Sequence, residues 1–239
     1  MNIILLQEPD FTSATQVCIG GLRAKHINTV LRASNGDHLK VGLLGQQLGT
    51  GLVTSMTSNE ITMDVTFTHD APLPSPVSLI LALPRPKMLK RVVRMVAELG
   101  IKELTLLNSY RVEKSYWQSP ALWQENIDAY LHSGLAQAGD TVMPVVNIEK
   151  RFKPFVEDRL ATLCAGRKAY VAHPGIGSAP IPKVDDGTLL AIGPEGGFIP
   201  YEIEKLQTEG LQLVNLGERI LRVETAVPYA LAALMHGNT

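Results

Sequence analysis

A change of texture at residue 71 limits what this chain can fold into more than any other feature. Before it, short runs of β-type residues are split by turn residues: Ile3-Ile4-Leu5-Leu6, Val17-Cys18-Ile19, Leu39-Lys40-Val41-Gly42-Leu43 and Glu60-Ile61-Thr62-Met63-Asp64-Val65. Alternation and β-branching suit a pleated surface buried on one side, so these runs are predicted strands. One or two helical turns are expected at 24–32, where apolar residues fall three to four apart. A small β-barrel closes such a set of strands and removes their edges. Ala71-Pro72-Leu73-Pro74-Ser75-Pro76 then places three prolines in six residues, which suits a stiff extended connector rather than a helix or strand.

Beyond the connector, strands and helices alternate. Strands are predicted at 79–83, 104–107, 169–172, 189–192 and 211–214. Helices are predicted from Lys87 to Leu99 with Gly100 as the stop, and near 121–137, 153–164, 200–209 and 225–236. That order implies an α/β fold with a mainly parallel sheet and helices on both faces. The division follows as residues 1–70 for the barrel, 71–77 for the linker and 78–239 for the α/β domain, and 239 residues suit two domains.

Composition narrows the function class. With 45% hydrophobic and 19% charged residues the chain can bury real cores. No apolar run reaches the roughly eighteen residues of a membrane helix. The start, Met1-Asn2-Ile3-Ile4-Leu5, has no basic segment or cleavage site, so a cytoplasmic protein is expected. Cys18 and Cys164 lie in unrelated apolar stretches and read as core residues, with no disulfide and no metal site implied. The net charge of −1 conceals segregation: −2 over residues 1–70, +5 over 71–114 and −4 over 115–239. A basic block in a near-neutral chain fits a local phosphate-contacting surface, whether the phosphate belongs to a nucleic acid, a nucleotide or a partner.

In open α/β sheets ligands bind beyond the carboxyl ends of the strands. Three loops there are unusual: His173-Pro174-Gly175-Ile176-Gly177, Gly193-Pro194-Glu195-Gly196-Gly197-Phe198, and Leu216-Gly217-Glu218-Arg219-Ile220-Leu221-Arg222-Val223-Glu224-Thr225-Ala226. Glycine lets backbone amides approach a flat ligand, and proline fixes the loop path. For the His173 loop alone a plain turn explains the residues. The Gly193 loop has more glycine than one turn requires. Neither a phosphate-cradling Gly-x-x-x-x-Gly-Lys-Ser/Thr run nor a Gly-x-Gly-x-x-Gly run after a first strand is present, which disfavours nucleoside triphosphates and ordinary dinucleotides.

Ile192-Gly193-Pro194-Glu195-Gly196-Gly197-Phe198 together with 216–226, His26-Ile27-Asn28-Thr29-Val30-Leu31-Arg32 and Glu98-Leu99-Gly100-Ile101 resembles the RsmE family of 16S ribosomal RNA uridine-N3 methyltransferases, within the SPOUT superfamily. The resemblance covers nearly the whole chain. It implies a PUA-like barrel that binds RNA, a trefoil-knotted α/β methyltransferase domain, a homodimer, and S-adenosylmethionine as cofactor without a metal. It places Ala172, His173, Pro174, Ile192, Gly193, Pro194, Glu195, Gly196, Gly197, Leu216, Gly217, Ile220, Leu221, Arg222, Thr225 and Ala226 at the cofactor. Arg222, Glu224 and Thr225 are the catalytic candidates. Thr225 also reads as a helix N-cap and Glu224 as a favourable charge at a helix start.

N3 of uridine carries a proton and lies on the Watson–Crick edge, so the base must be unpaired, deprotonated and aligned with the methyl donor. Arg222 beside the pyrimidine carbonyls would stabilise the anion. The implied partner is ribosomal RNA, in the assembled small subunit. For its backbone, Lys87, Lys90, Arg91 and Arg94 fall on one helix face by spacing, with Arg23, Lys25 and Arg32 in the barrel and Arg111 and Lys114 as further candidates. Tyr116, Trp117 and Trp123 serve either packing or base stacking. The chain departs from the family pattern at its start, which lacks an arginine, at Ser109-Tyr110-Arg111, and at Ala136-Gln137-Ala138-Gly139-Asp140. An aspartate at 140 would reverse the sign of an RNA surface there. Two other functions fit the same residues: a SPOUT methyltransferase with another ribosomal or transfer RNA target, and a non-catalytic RNA-binding assembly factor.

Overall fold

The alternating runs of the first seventy residues pair into one sheet. A computed structural model describes residues 2–175, 177–184 and 187–236. The chain divides into one unit of Met1–Leu73 with His132–Met143 and another of Pro74–Leu131 with Pro144–Thr239. The first unit contains β1 (Ile4–Leu6), β2 (Gln16–Gly20), β3 (His38–Leu43), β4 (Leu48–Met56) and β5 (Glu60–His69). Their order in the sheet is β1-β3-β4-β5-β2. β1 runs parallel to β3, and the other pairs are antiparallel. Val17, Ile19, Val41, Val53, Ile61 and Met63 fill its core. Ala24 and Ile27 join them from α1 (Gly21–His26) and the π-helical turn Ile27–Leu31 that continues it. The Arg23 guanidinium grips both carboxylate oxygens of Asp10 at 2.6 Å and donates to the Leu5 carbonyl, tying α1 to β1.

β4 is a strand that the sequence pattern does not announce. Gly49 and Gly51 dilute its alternation, yet Gly49 is required by packing. A Cβ there would lie 2.0 Å from the Thr66 carbonyl oxygen, where the β4–β5 register shifts. The segment 132–143 is a correction to the linear division. The Asn2 and Ile3 amides donate to the Ala136 carbonyl at 2.8 and 3.0 Å, and the Gly45 amide donates to Thr141 at 2.8 Å. These backbone pairings place the segment with the first unit.

The second unit contains β6 (Val77–Ala82), α2 (Pro86–Glu98), β7 (Glu103–Leu107), the first half of α3 (Gln124–Ala138), β8 (Val145–Glu149) and α4 (Phe152–Phe155). α4 passes through a π-helical turn, Val156–Leu160, into α5 (Ala161–Cys164). β9 (Lys168–Ala172), β10 (Ala179–Pro180), β11 (Thr188–Ile192), α6 (Pro200–Thr208), β12 (Gln212–Asn215) and α7 (Val223–His236) complete it. All seven strands are parallel, in the order β10-β12-β9-β11-β6-β7-β8. The central strands read as unbroken apolar runs because both faces are covered: every residue of β11 is buried. α2 buries Met88, Leu89, Val92, Val93, Val96 and Ala97. It ends at Gly100, whose φ of +72° lets the Ile101 amide turn back to the Val96 carbonyl at 3.1 Å.

The α/β class and its parallel sheet therefore follow the expectation, with β8 and β10 added at the edges. β11 lies between β6 and β9, both earlier in the chain, so the strand order reverses there. Cys18 and Cys164 are free and half-buried rather than deep in a core. Burial pushes the Cys164 thiol up, helped by the Glu209 charge. Among the described residues, no helix is long and apolar enough to cross a membrane.

Candidate functional site

A parallel sheet delivers all its carboxyl ends to one edge, and the loops after β9, β11 and β12 meet there around a cavity of about 220 Å³. From the first come Ala172, His173 and Pro174; from the second Ile192, Gly193, Pro194, Glu195, Gly196 and Gly197. The third gives Leu216, Gly217, Arg219, Ile220 and Leu221, and α7 adds Val223 and Ala226. The His173 amide extends the ladder by donating to Val214 at 2.9 Å, which fixes where the ring leaves the sheet. A tight turn carries the second loop, with the Gly197 amide on the Pro194 carbonyl at 2.7 Å and Gly197 at a φ of +72°. Gly193 has no room for a side chain, since a Cβ would meet the Phe198 ring and amide nitrogen at 3.0 Å. Asn215 anchors the third loop: its side-chain amide donates to Ser178, and its Oδ1 accepts from Gly217.

Charges around the cavity are held by partners. Glu195 receives Arg85 through two hydrogen bonds of 2.6 and 2.8 Å, and this bond holds the guanidinium pKa above its usual range. Arg111 donates to the Gly196 carbonyl, and its side chain fills the space where a Gly196 Cβ would stand. Burial, reinforced by the Arg111 charge, pushes His173 below the ordinary histidine value, so its ring is neutral at pH 7. Glu202 in α6 is buried and accepts from the amides of Ile199 at 3.0 Å and Tyr110 at 2.7 Å. It thereby fastens the loop after β7 to the start of α6.

Every residue expected at the cofactor lines this cavity except Arg222 and Thr225. Ile176 lies outside the described residues. Arg219 and Val223 line it as well, and the residue pattern did not single them out although they belong to the same glycine-led run, 216–226. Arg222 is exposed, and its carbonyl accepts the amides of Thr225 and Ala226 at 2.9 and 2.7 Å. Arg222 therefore starts α7. Thr225, already inside its first turn, is not the N-cap. Glu224 lies in that first turn, where its charge is favourable.

The basic candidates separate. Lys87, Lys90, Arg91 and Arg94 are all exposed on α2, with Lys90 5.6 Å above the Tyr130 ring. Lys25 and Arg32 are exposed in the first unit. Arg23 is not available to a ligand, because its guanidinium is engaged by Asp10. Arg111 faces the cavity wall rather than a distant surface, while Lys114 is exposed beside a second cavity. Asp140 is buried and accepts the Val142 amide at 2.9 Å, so the expected sign reversal on an RNA surface does not occur there. Trp117 donates to Asn108 at 2.9 Å, and Trp123 is 57% exposed. Among the described residues, no three His, Cys, Asp or Glu side chains gather as metal ligands.

Residues 71–235 match the model of a family described as RNA methyltransferase domain. Ribosomal RNA small subunit methyltransferase E of Treponema pallidum is 28% identical over 98% of this chain and 91% of its own length. The protein of that name from Synechocystis is 27% identical over 96% and 76%. In structure, the ribosomal RNA small subunit methyltransferase E of Neisseria gonorrhoeae, solved bound to S-adenosyl methionine, superposes with a TM-score of 0.75 at 21% identity, covering 97% of this chain and 96% of that one. A putative methyltransferase of Legionella pneumophila, solved with the cofactor SAM, gives 0.75 at 22% identity, with coverage of 98% and 97%.

Proposed function

Because this chain belongs to the family that carries the RNA methyltransferase domain, we propose that it transfers a methyl group from S-adenosylmethionine to N3 of a uridine in small-subunit ribosomal RNA. The observation that carries the reading is the cavity itself: glycine-rich backbone and apolar walls at the carboxyl ends of three parallel strands. A cationic sulfonium fits the part walled by the first two loops, since His173 is neutral, Arg85 is paired with Glu195 and Arg111 is anchored on a carbonyl. Ile192, Leu216, Ile220 and Leu221 would bury the adenine, and the amides of the Gly193 loop would meet its polar edge. When bound, S-adenosylmethionine supplies an electrophilic methyl group.

The rest of the reaction is the work of this chain's residues. Loss of the uridine N3 proton to solvent water leaves negative charge spread over the flanking carbonyls, and the N3 lone pair then takes the methyl group as the sulfonium's carbon–sulfur bond breaks. Arg222, exposed between the lining residues Leu221 and Val223, is the cation we assign to that charge. A positive helix start at α7 adds to the same field. The target base must be unpaired to present N3, so recognition rests on RNA shape and phosphates, for which the exposed α2 cations are suited. The homodimer, the cytoplasmic location and the trefoil knot belong to the same proposal. Insertion of β11 between β6 and β9 supports the knot.

Purified protein is incubated with labelled S-adenosylmethionine and small ribosomal subunits from a strain lacking this gene. N3-methyluridine in the digest, identified by mass spectrometry, is the expected result. Label in another nucleoside or in transfer RNA refutes the target. Cofactor binding with no transfer to any RNA refutes catalysis.

A further inference from the structure

A second cavity, of about 360 Å³, opens at the carboxyl ends of β7 and β8. Its walls bring together Tyr110, Trp117, Phe152 and Tyr201, with Lys114 and Lys153 beside them. Tyr110 is 79% exposed, an arrangement that packing does not explain. Trp117 is held in place by its bond to Asn108. Ser109, 4% exposed on the same wall, has an Oγ with no hydrogen-bond partner. The carboxylate that lines the cleft, Glu202, has both oxygens occupied by backbone amides. The cleft therefore offers aromatic faces and two cations, with its one acid already satisfied.

We propose that this cleft binds one unpaired nucleotide of the substrate RNA, a neighbour of the methylated base, by stacking it on Tyr110 and Trp117 with its phosphate toward Lys114. The proposal rests on the RNA-methylation reading. Aromatic faces beside lysines are the chemistry that holds single-stranded bases without reading their sequence. The occupant is a neighbour and not the target, because Phe198 stands between the two cavities. The buried Phe198 ring packs 6.4 Å from Phe152 on one side and against Gly193 on the other. Phe198 thus links a lining residue of each site, Phe152 and Gly193, so a base stacked in the cleft would fix the register of the strand beside the methyl-donor pocket.

The chain has two tryptophans, so Trp123→Phe leaves Trp117 as the single reporter. Titrating that full-length variant with a uridine decanucleotide is expected to quench Trp117. Adding Tyr110→Ala should weaken the oligonucleotide roughly 5- to 100-fold, the usual loss when one stacking ring is removed. On small subunits, Tyr110→Ala should raise KM for RNA by a similar factor with kcat and cofactor affinity unchanged, and Tyr110→Phe should restore it. An exposed side chain is removed, so the melting temperature should stay at the parent value. Unchanged oligonucleotide affinity and unchanged KM in Tyr110→Ala overturn the proposal. Failure of the parent protein to methylate any RNA refutes the methylation reading instead, and the quenching titration then decides the cleft alone.

Discussion

Replacing Gly193 with alanine tests whether the loop after β11 is built to the tolerance its glycines suggest. The new Cβ would stand 3.0 Å from both the Phe198 amide nitrogen and its ring, and 3.3 Å from a second ring carbon. A backbone nitrogen cannot swing aside as a lysine tip can, and Phe198 is 2% exposed, so its ring has nowhere to go. The cost is that of overpacking, about 1–3 kcal/mol. Side chain and amide cannot yield alone, so the loop as a whole should shift outward in the free variant and leave stability little changed. Cofactor binding needs the loop where it stands, so the strain reappears in affinity. At about 1.4 kcal/mol per tenfold, S-adenosylmethionine should bind roughly 5- to 100-fold more weakly. Titration calorimetry reads the affinity and scanning calorimetry the stability. Gly20→Ala is the control, because its Cβ would find only the Asn59 oxygen, at 3.7 Å. Parent-like affinity in Gly193→Ala would refute the claim that this wall shapes the pocket.

Arg222→Ala should abolish most methyl transfer while leaving cofactor affinity within a few-fold, since Arg222 does not line the cavity; unchanged turnover would remove it from the mechanism. Burial holds His173 below its ordinary value of 6.5, so the stability it confers is present above that pH and lost as pH falls through the lower folded value. Cofactor affinity should be level while the folded ring stays neutral and decline as pH falls through that lower folded value, as an imidazolium opposes the sulfonium, and calorimetry at stepped pH should find His173→Asn flat. Arg23→Ala should cost about 1–3 kcal/mol in thermal unfolding by stranding the buried Asp10, with the salt dependence of RNA binding unchanged. Replacing Lys87, Arg91 and Arg94 together by alanine should instead leave the melting temperature alone and flatten the slope of log affinity against log salt, by about one for each phosphate that is no longer neutralised.

What could be read in advance was whatever depends on local pattern. Leu189–Ile192 is apolar without a break because β11 is covered on both faces, and the Met88-to-Ala97 stripe gives α2 its buried side. The loops stood out because glycine is costly unless backbone geometry needs it. Partners distant in sequence stayed hidden. Nothing near Arg111 announces a bond to Gly196, nothing near Arg23 points to Asp10, and nothing near Tyr110 points to Glu202. Asp140 misled for the same reason, since an acid that accepts a backbone amide inside the fold and one facing RNA read alike. β4 was obscured by Gly49, a residue that weakens strand propensity and is demanded by tertiary packing against Thr66.

Those distant partnerships decide what kind of cation each arginine near the pocket is. A methylsulfonium and a uracil anion need opposite surroundings within one site. Arg85 is neutralised by Glu195, and Arg111 is turned onto a carbonyl, where its field also keeps His173 unprotonated. Along the first two loops, then, the wall presents a neutral ring, apolar side chains and backbone dipoles. Arg219 and Arg222 stay exposed in the third loop, with no carboxylate partner among the described residues, at the positions that lead into α7. Positive charge is thus compensated at the first two loops and left uncompensated at the third, the loop to which we assign the negatively charged base. Exchanging those roles, with Glu195→Gln freeing Arg85, should weaken S-adenosylmethionine more than its uncharged analogue methylthioadenosine; equal losses for the two ligands would show that the Arg85–Glu195 pair acts on loop shape and not on charge.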